Sequence, residues 1–187
     1  MTSKLRIFLL MALAFVPVLA GGVSDNTHPS LVVPKESGLT PSSVTPDPTD
    51  TASFSGQVWV EGLLVAQWPL EEDSSDGPPE LWAEIRLDEK EKKRLPWYDW
   101  PALKQSFVLR SVAILNPQEA VKLVFSREVS ARLLGKKVLV AKVHGRFLLT
   151  GYETGVECDA QWAHARLISS DVTATAELGN KSEPQGC

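Results

Sequence analysis

The side chains with the widest chemical range are His144, His164 and Cys158, the last flanked by Glu157 and Asp159. An imidazole titrates near neutrality and ligates metals, and a thiolate is both a nucleophile and a zinc ligand. Together they sketch a metal or acid–base site, which is the basis for reading the chain as a small hydrolase or metalloprotein. Their surroundings argue against it. Adjacent carboxylates withhold the thiolate by disfavouring its charge. No CxxC or clustered Cys/His spacing marks a zinc site, and neither GxSxG, HExxH, a P-loop nor GxGxxG occurs. Two histidines on separate strands are more often structural or surface residues than ligands. The expectation is therefore no catalytic residue and no cofactor, with His144 and His164 as the metal candidates.

A second group is aromatic. Six tryptophans fall between Trp59 and Trp162, and Trp97, Tyr98 and Trp100 cluster in the Pro-bounded stretch LPWYDWPAL. Exposed aromatics on a small β-barrel stack on sugar rings or bases, and the same cluster suits a protein interface hot spot. The competing reading is that they close one end of the core.

The elements that must hold these residues are mostly strands. Phe54–Val60 alternates Phe54, Gly56, Val58 and Val60 on one side, with Gly56 marking a bend. Leu81–Leu87 alternates again, followed by the charge run Asp88–Arg94, read as a solvated turn or helix end. Gln105–Leu115 is rich in β-branched and aromatic residues and stops at Asn116-Pro117. Ala120–Phe125 is a short strand or the lead into a helix. Ser126–Leu134 reads as a short helix, capped by Ser126 and ended by Gly135. Val138–Leu149 and Trp162–Ile168 form a closing hairpin that carries His144 and His164 and would let them approach each other. Three strands, a helix and two strands make a mostly β, OB-like five-stranded barrel with its helix between the third and fourth strands.

The barrel is assigned to residues 54–175, with a flexible tail over 176–187. Residues 1–20 read as a signal peptide: Lys4 and Arg6 precede the apolar run Ile7–Leu19, and Val18-Leu19-Ala20 offers a cut after Ala20. The run is too short to span a bilayer, and no later segment is long and apolar enough to do so. Residues 21–53 hold five of the 13 prolines among many Ser and Thr, the composition of a disordered tether. Cleavage removes two of the 19 basic residues and none of the 23 acidic ones, leaving a net charge of −6. Such a chain repels a phosphate backbone, so nucleic acid is not an expected partner. In an oxidising compartment Cys158 and Cys187 form one disulfide or remain two free thiols.

Over LWAEIRLD (Leu81–Asp88) and LLGKKVLVAKVHGRFLLTGYETG (Leu133–Gly155) the chain resembles a family of uncharacterised bacterial periplasmic domains, covering roughly 100 residues. It departs from that pattern where histidines follow the Thr-Gly turn: here stand Val156-Glu157-Cys158-Asp159. The resemblance implies a small barrel and an envelope location, and no catalytic residues. The reading that results is an exported, periplasmic or secreted, non-enzymatic β-barrel module that binds a protein partner in the cell envelope. The alternatives are a carbohydrate- or peptidoglycan-binding module using Trp97, Tyr98 and Trp100, and a hydrolase or metalloprotein using His144, Cys158 and His164.

Overall fold

The apolar alternation of the second half of the chain builds one very long strand. In a computed structural model, which describes residues 29–45, 50–69, 79–100, 105–106, 109–157 and 160–182, Val140–Glu157 forms a single strand of 18 residues. Numbering strands in chain order, it is β9, after β1 (Ser30–Val32), β2 (Thr40–Thr45), β3 (Thr51–Ser55), β4 (Gln57–Gln67), β5 (Trp82–Leu87), β6 (Trp97–Trp100), β7 (Gln105–Ser106) and β8 (Ser111–Ile114). Two helices, α1 (Pro117–Val124) and α2 (Arg127–Leu134), lie between β8 and β9. The strands β10 (Ala160–Asp171) and β11 (Glu177–Gly179) follow.

Five strands close into a ring. β4 pairs antiparallel with β9 over eleven residue pairs, from Gln57 opposite Thr150 to Gln67 opposite Val140. On its other side β4 meets β5, β5 meets β8, and β10 runs antiparallel to β9. The circuit is completed by a parallel contact in which His164 and Ala165 of β10 face Ala113 and Ile114 of β8. The inward sides carry Val58, Val60, Leu64, Ile85, Val112, Phe147, Leu149 and Leu167, all 5% exposed or less. Alternation alone therefore sorts core from surface. Coiling is tightest where Gly62 of β4 faces Gly145 of β9. A Cβ at Gly62 would stand 2.2 Å from the Arg86 carbonyl oxygen, so no larger residue lets β5 pass. Gly56, at φ +106°, turns β3 into β4, the bend expected from its place in FSGQVWV.

The closure between β8 and β10 has only two paired positions, and a side chain extends it. Asn116 Nδ2 donates to the Leu167 carbonyl, and the Leu167 N–H donates to Asn116 Oδ1, both at 2.9 Å and buried. The carboxamide reproduces one more rung of a backbone ladder where Pro117 could not supply an N–H. Pro117 then starts α1, and Ser126 caps α2 by accepting from the Val129 N–H at 3.3 Å. Ser130 ties the two helices together by donating to the Val121 carbonyl at 3.0 Å.

Three expectations need correction. There are two helices between the third and fourth ring strands, because Ala120 and Val121 bury one face of α1 instead of continuing a strand. The described part of 21–53 belongs to the fold: β2 and β3 form a hairpin, and β3 pairs with the far end of β9, Ala52 opposite Thr154. Its Pro, Ser and Thr content hid two anchors, Leu39 and Ala52, each 6% exposed or less. The tail is likewise held as far as Ser182, since β11 pairs with the start of β9 and Ser182 Oγ donates to the Trp68 carbonyl at 2.6 Å. The signal peptide, including the cut at Ala20, lies outside the described residues.

Asn116→Ala leaves two buried backbone groups of Leu167 without partners. Urea denaturation of this variant is expected to show a loss of about 2–4 kcal/mol; a loss near zero would show that the ring closes without the carboxamide.

Candidate functional site

The hairpin separates its histidines. His144 stands on β9 opposite Leu63, whereas His164 on β10 pairs with Glu153, nine residues further along β9. That is a path on the order of 30 Å along the strand. Both strands run further than the expected Val138–Leu149 and Trp162–Ile168, to Glu157 and from Ala160, so shared hairpin membership does not bring the rings together. His144 Nε2 meets both carboxylate oxygens of Asp88, at 3.1 and 3.2 Å. Beside this pair Glu61 binds Lys90 and lies 3.5 Å from Arg146, whose guanidinium sits 5.3 Å from the centroid of the Trp59 ring. The hydrogen bond from Lys90 holds the Glu61 carboxyl below its ordinary value. His164 stacks against Trp162, ring centroids 4.8 Å apart. Cys158 and Cys187 lie outside the described residues, and so does any bond between them. Among the described residues no three His, Cys, Asp or Glu side chains come together as a metal site, and neither histidine meets a hydroxyl or thiol.

The aromatic cluster is a strand, not a loop. β6 holds Trp97, Tyr98 and Trp100, with Leu31 and Val32 of β1 pairing opposite Tyr98 and Trp97. Alternation turns Tyr98 into the core, 2% exposed, beside the fully buried Leu95 and Leu109 at 1%. Trp97 is half-buried, and the side chain of Trp100 lies outside the described residues. Trp97 and Tyr98 therefore share no open face for a sugar, because strand geometry sends neighbours to opposite sides. Burial pushes the Tyr98 phenol up to about 12, with the Asp50 carboxylate adding to it. Tyr152, fully buried and donating to the Pro96 carbonyl at 2.9 Å, is raised still further by its burial.

The open chemistry lies instead on the outer face of β5, β8 and β10. Glu84, Ala113 and His164 stand in one row across these strands, and one step along lie Trp82, Leu115 and Arg166. The middle strand contributes small side chains, Ser111 and Ala113. Its flanks carry Trp82 and the Glu84–Arg86 pair (2.7 Å) on one side, and Trp162, His164 and Arg166 on the other. Leu115 is 53% exposed and Ile168 is 39% exposed. Ile168 continues the outward row of Trp162, His164 and Arg166, and it sits at a bulge: Leu167 faces Leu149 and Ser169 faces Leu148, leaving Ile168 as the extra residue. Below Leu115 opens a cleft of about 310 Å³ lined by Trp68, Glu80, Leu81, Gln118 and Glu119 among others. The alternation in RSVAIL already places Leu115 on the outer side. Nothing in the sequence marks the bulge, which is a mismatch between two strands. No helix among the described residues is long and apolar enough to cross a membrane.

Searches of protein-family models, of curated proteins and of solved structures return no match to this chain.

Tyr98 and Tyr152 are the only tyrosines, and both are raised in the fold above the ordinary value of 10.0. A raised folded value means their contribution to stability is complete below pH 10.0 and is lost as the pH climbs through about 12. An alkaline titration is expected to show tyrosinate absorbance appearing together with loss of near-ultraviolet circular dichroism. Ionisation of either phenol at its ordinary pH with the fold intact would contradict this.

Proposed function

We propose that this chain is an exported, non-enzymatic binding module that presents the outer face of β5, β8 and β10 to a protein partner in the cell envelope. The carrying observation is two large apolar side chains, Leu115 and Ile168, exposed on the same outer face that carries Trp82 and Arg166. Contiguous exposed apolar residues mark interaction sites more often than accidents of composition, and tryptophan and arginine are the residues that concentrate binding energy. The bulge at Ile168 interrupts the β9–β10 ladder on this face, and such features gather at working surfaces.

The ring supports an OB-like reading. Taken in chain order its strands are β4, β5, β8, β9 and β10, arranged 1-2-3-5-4 and back to 1. The third and fifth run parallel, and the helices sit between the third and fourth. A small barrel of this kind binds through side chains on an outer strand face. Export rests on the signal-like N-terminus, and an envelope location also on the resemblance to periplasmic domains. Acidic net charge favours a protein over a nucleic acid. The hydrolase or metalloprotein reading has no observation in its favour, since His144 and His164 stand apart.

Two experiments test this. N-terminal sequencing of the protein from its native host is expected to begin at Gly21; an unprocessed Met1 would remove the export reading. In capture from native envelope extracts, Ile168→Asp and Leu115→Asp are each expected to weaken retention of the partner about thirtyfold, near 2 kcal/mol, if they are central contacts. Retention equal to the unmodified chain by both variants would move the interface elsewhere.

A further inference from the structure

Trp68 is held from three sides. Its N–H donates to the Leu139 carbonyl at 3.0 Å, its indole Nε1–H to the Leu133 carbonyl at 2.8 Å, and its carbonyl accepts from Ser182. An aromatic wall fixed in this way gives the cleft a preset shape. Opposite it, α1 begins without a side-chain cap, because the Asn116 carboxamide is committed to Leu167. The Ala120 N–H is used by the Asn116 carbonyl and Pro117 has none, so the N–H groups of Gln118 and Glu119 are the unbonded donors of this helix start. Glu80 and Glu119 supply carboxylate acceptors on the same rim.

These groups select the charge of a ligand. An anion drawn to the helix start meets two carboxylates. A cation drawn to the carboxylates meets the positive end of α1, about half an elementary charge. A neutral molecule that both donates and accepts, with one apolar face for Trp68 and Leu115, satisfies every group. Hydroxyls of a sugar ring donate to carboxylates and accept from N–H groups, while its C–H face packs on indole. The volume, about 310 Å³, is at the low end of small-molecule sites.

We propose that the cleft between Trp68 and the start of α1 is a binding site for a neutral sugar unit. Glu80 and Glu119 accept from its hydroxyls, and the N–H groups of Gln118 and Glu119 donate to them. This site is separate from the aromatic strand β6 and goes beyond the protein-binding face, with which it shares only Leu115.

The test is a titration of the full ¹⁵N-labelled chain with cellotriose, maltotriose and triacetylchitotriose in turn, with methylguanidinium and acetate as charged probes. Saturable shifts at the Trp68 indole N–H and the Gln118 and Glu119 amides are expected with at least one saccharide. The double variant Glu80→Ala, Glu119→Ala alters two exposed side chains and is expected to keep its thermal midpoint while binding about tenfold more weakly. Ile168→Asp is expected to bind sugar normally, so failure here is distinct from failure of the protein-binding reading. Absence of shifts with all three saccharides would overturn the proposal. Preferential saturation by either charged probe, or undiminished binding by the double variant, would do the same.

Discussion

The ring closes because one carboxamide imitates a peptide bond. β8 ends at Ile114, two residues into its contact with β10, and the next position but one precedes a proline. Left there, the parallel seam would be too short to hold two strands that arrive from different parts of the chain. The Leu115 N–H adds one bond to the Ala165 carbonyl at 2.9 Å, and Asn116 then grips Leu167 through both its amide atoms. Buried hydrogen bonds of this kind contribute modestly when made and cost heavily when one partner is missing. The same two bonds stand beside the bulge at Ile168 and leave the start of α1 without a side-chain cap. Closure, the outer face and the cleft thus depend on a single residue.

β9 is the other organising element, because four strands pair with it. β4 and β10 use its two edges along most of its length, β3 joins its far end, and β11 its beginning. Such a strand cannot be flat. Facing glycines at Gly62 and Gly145 let it coil, and Phe147, Leu149 and Tyr152 fill the space inside the coil. The polar side chains on its outside, His144 and Arg146, are held by Asp88 and Glu61 from neighbouring elements. They read as a solvated lattice across the strand faces, of small energetic weight individually.

Much of this arrangement was legible in the sequence where local pattern and final environment agree. Alternation identified Phe54–Val60, with its bend at Gly56, and β5; the closing hairpin gave β9 and β10, and Ser126 announced its own helix. The pattern failed where pairing supplies what composition lacks. Thr40–Thr45 is exposed throughout and Thr51–Ser55 buries only Ala52 and Phe54, but pairing makes them a hairpin whose β3 is held by β9 far along the chain. The aromatic stretch misled for a related reason: two prolines suggested a loop, while pairing with Leu31 and Val32 made it a strand with Tyr98 facing inward. The histidines were assigned to one hairpin correctly but to one place wrongly, since strand length sets their separation. The cleft was invisible, being assembled from Trp68, Glu80 and the start of α1, which are adjacent only after closure.

At the opposite margin of the sheet lies β2, whose six residues are all exposed. An uncovered sheet margin is a template on which a second chain can lay down a strand, and continued growth of that kind leads to fibrils. Here Pro41 has no N–H to offer, and a register break between Pro41 and Ser43 interrupts the regular row of groups. Only Ser43–Thr45 remains evenly spaced, shorter than the usual strand of about five residues. Pro41, one of the prolines that made this stretch look like a mere tether, therefore acts as a stop against copies of the molecule zipping into one another along this edge.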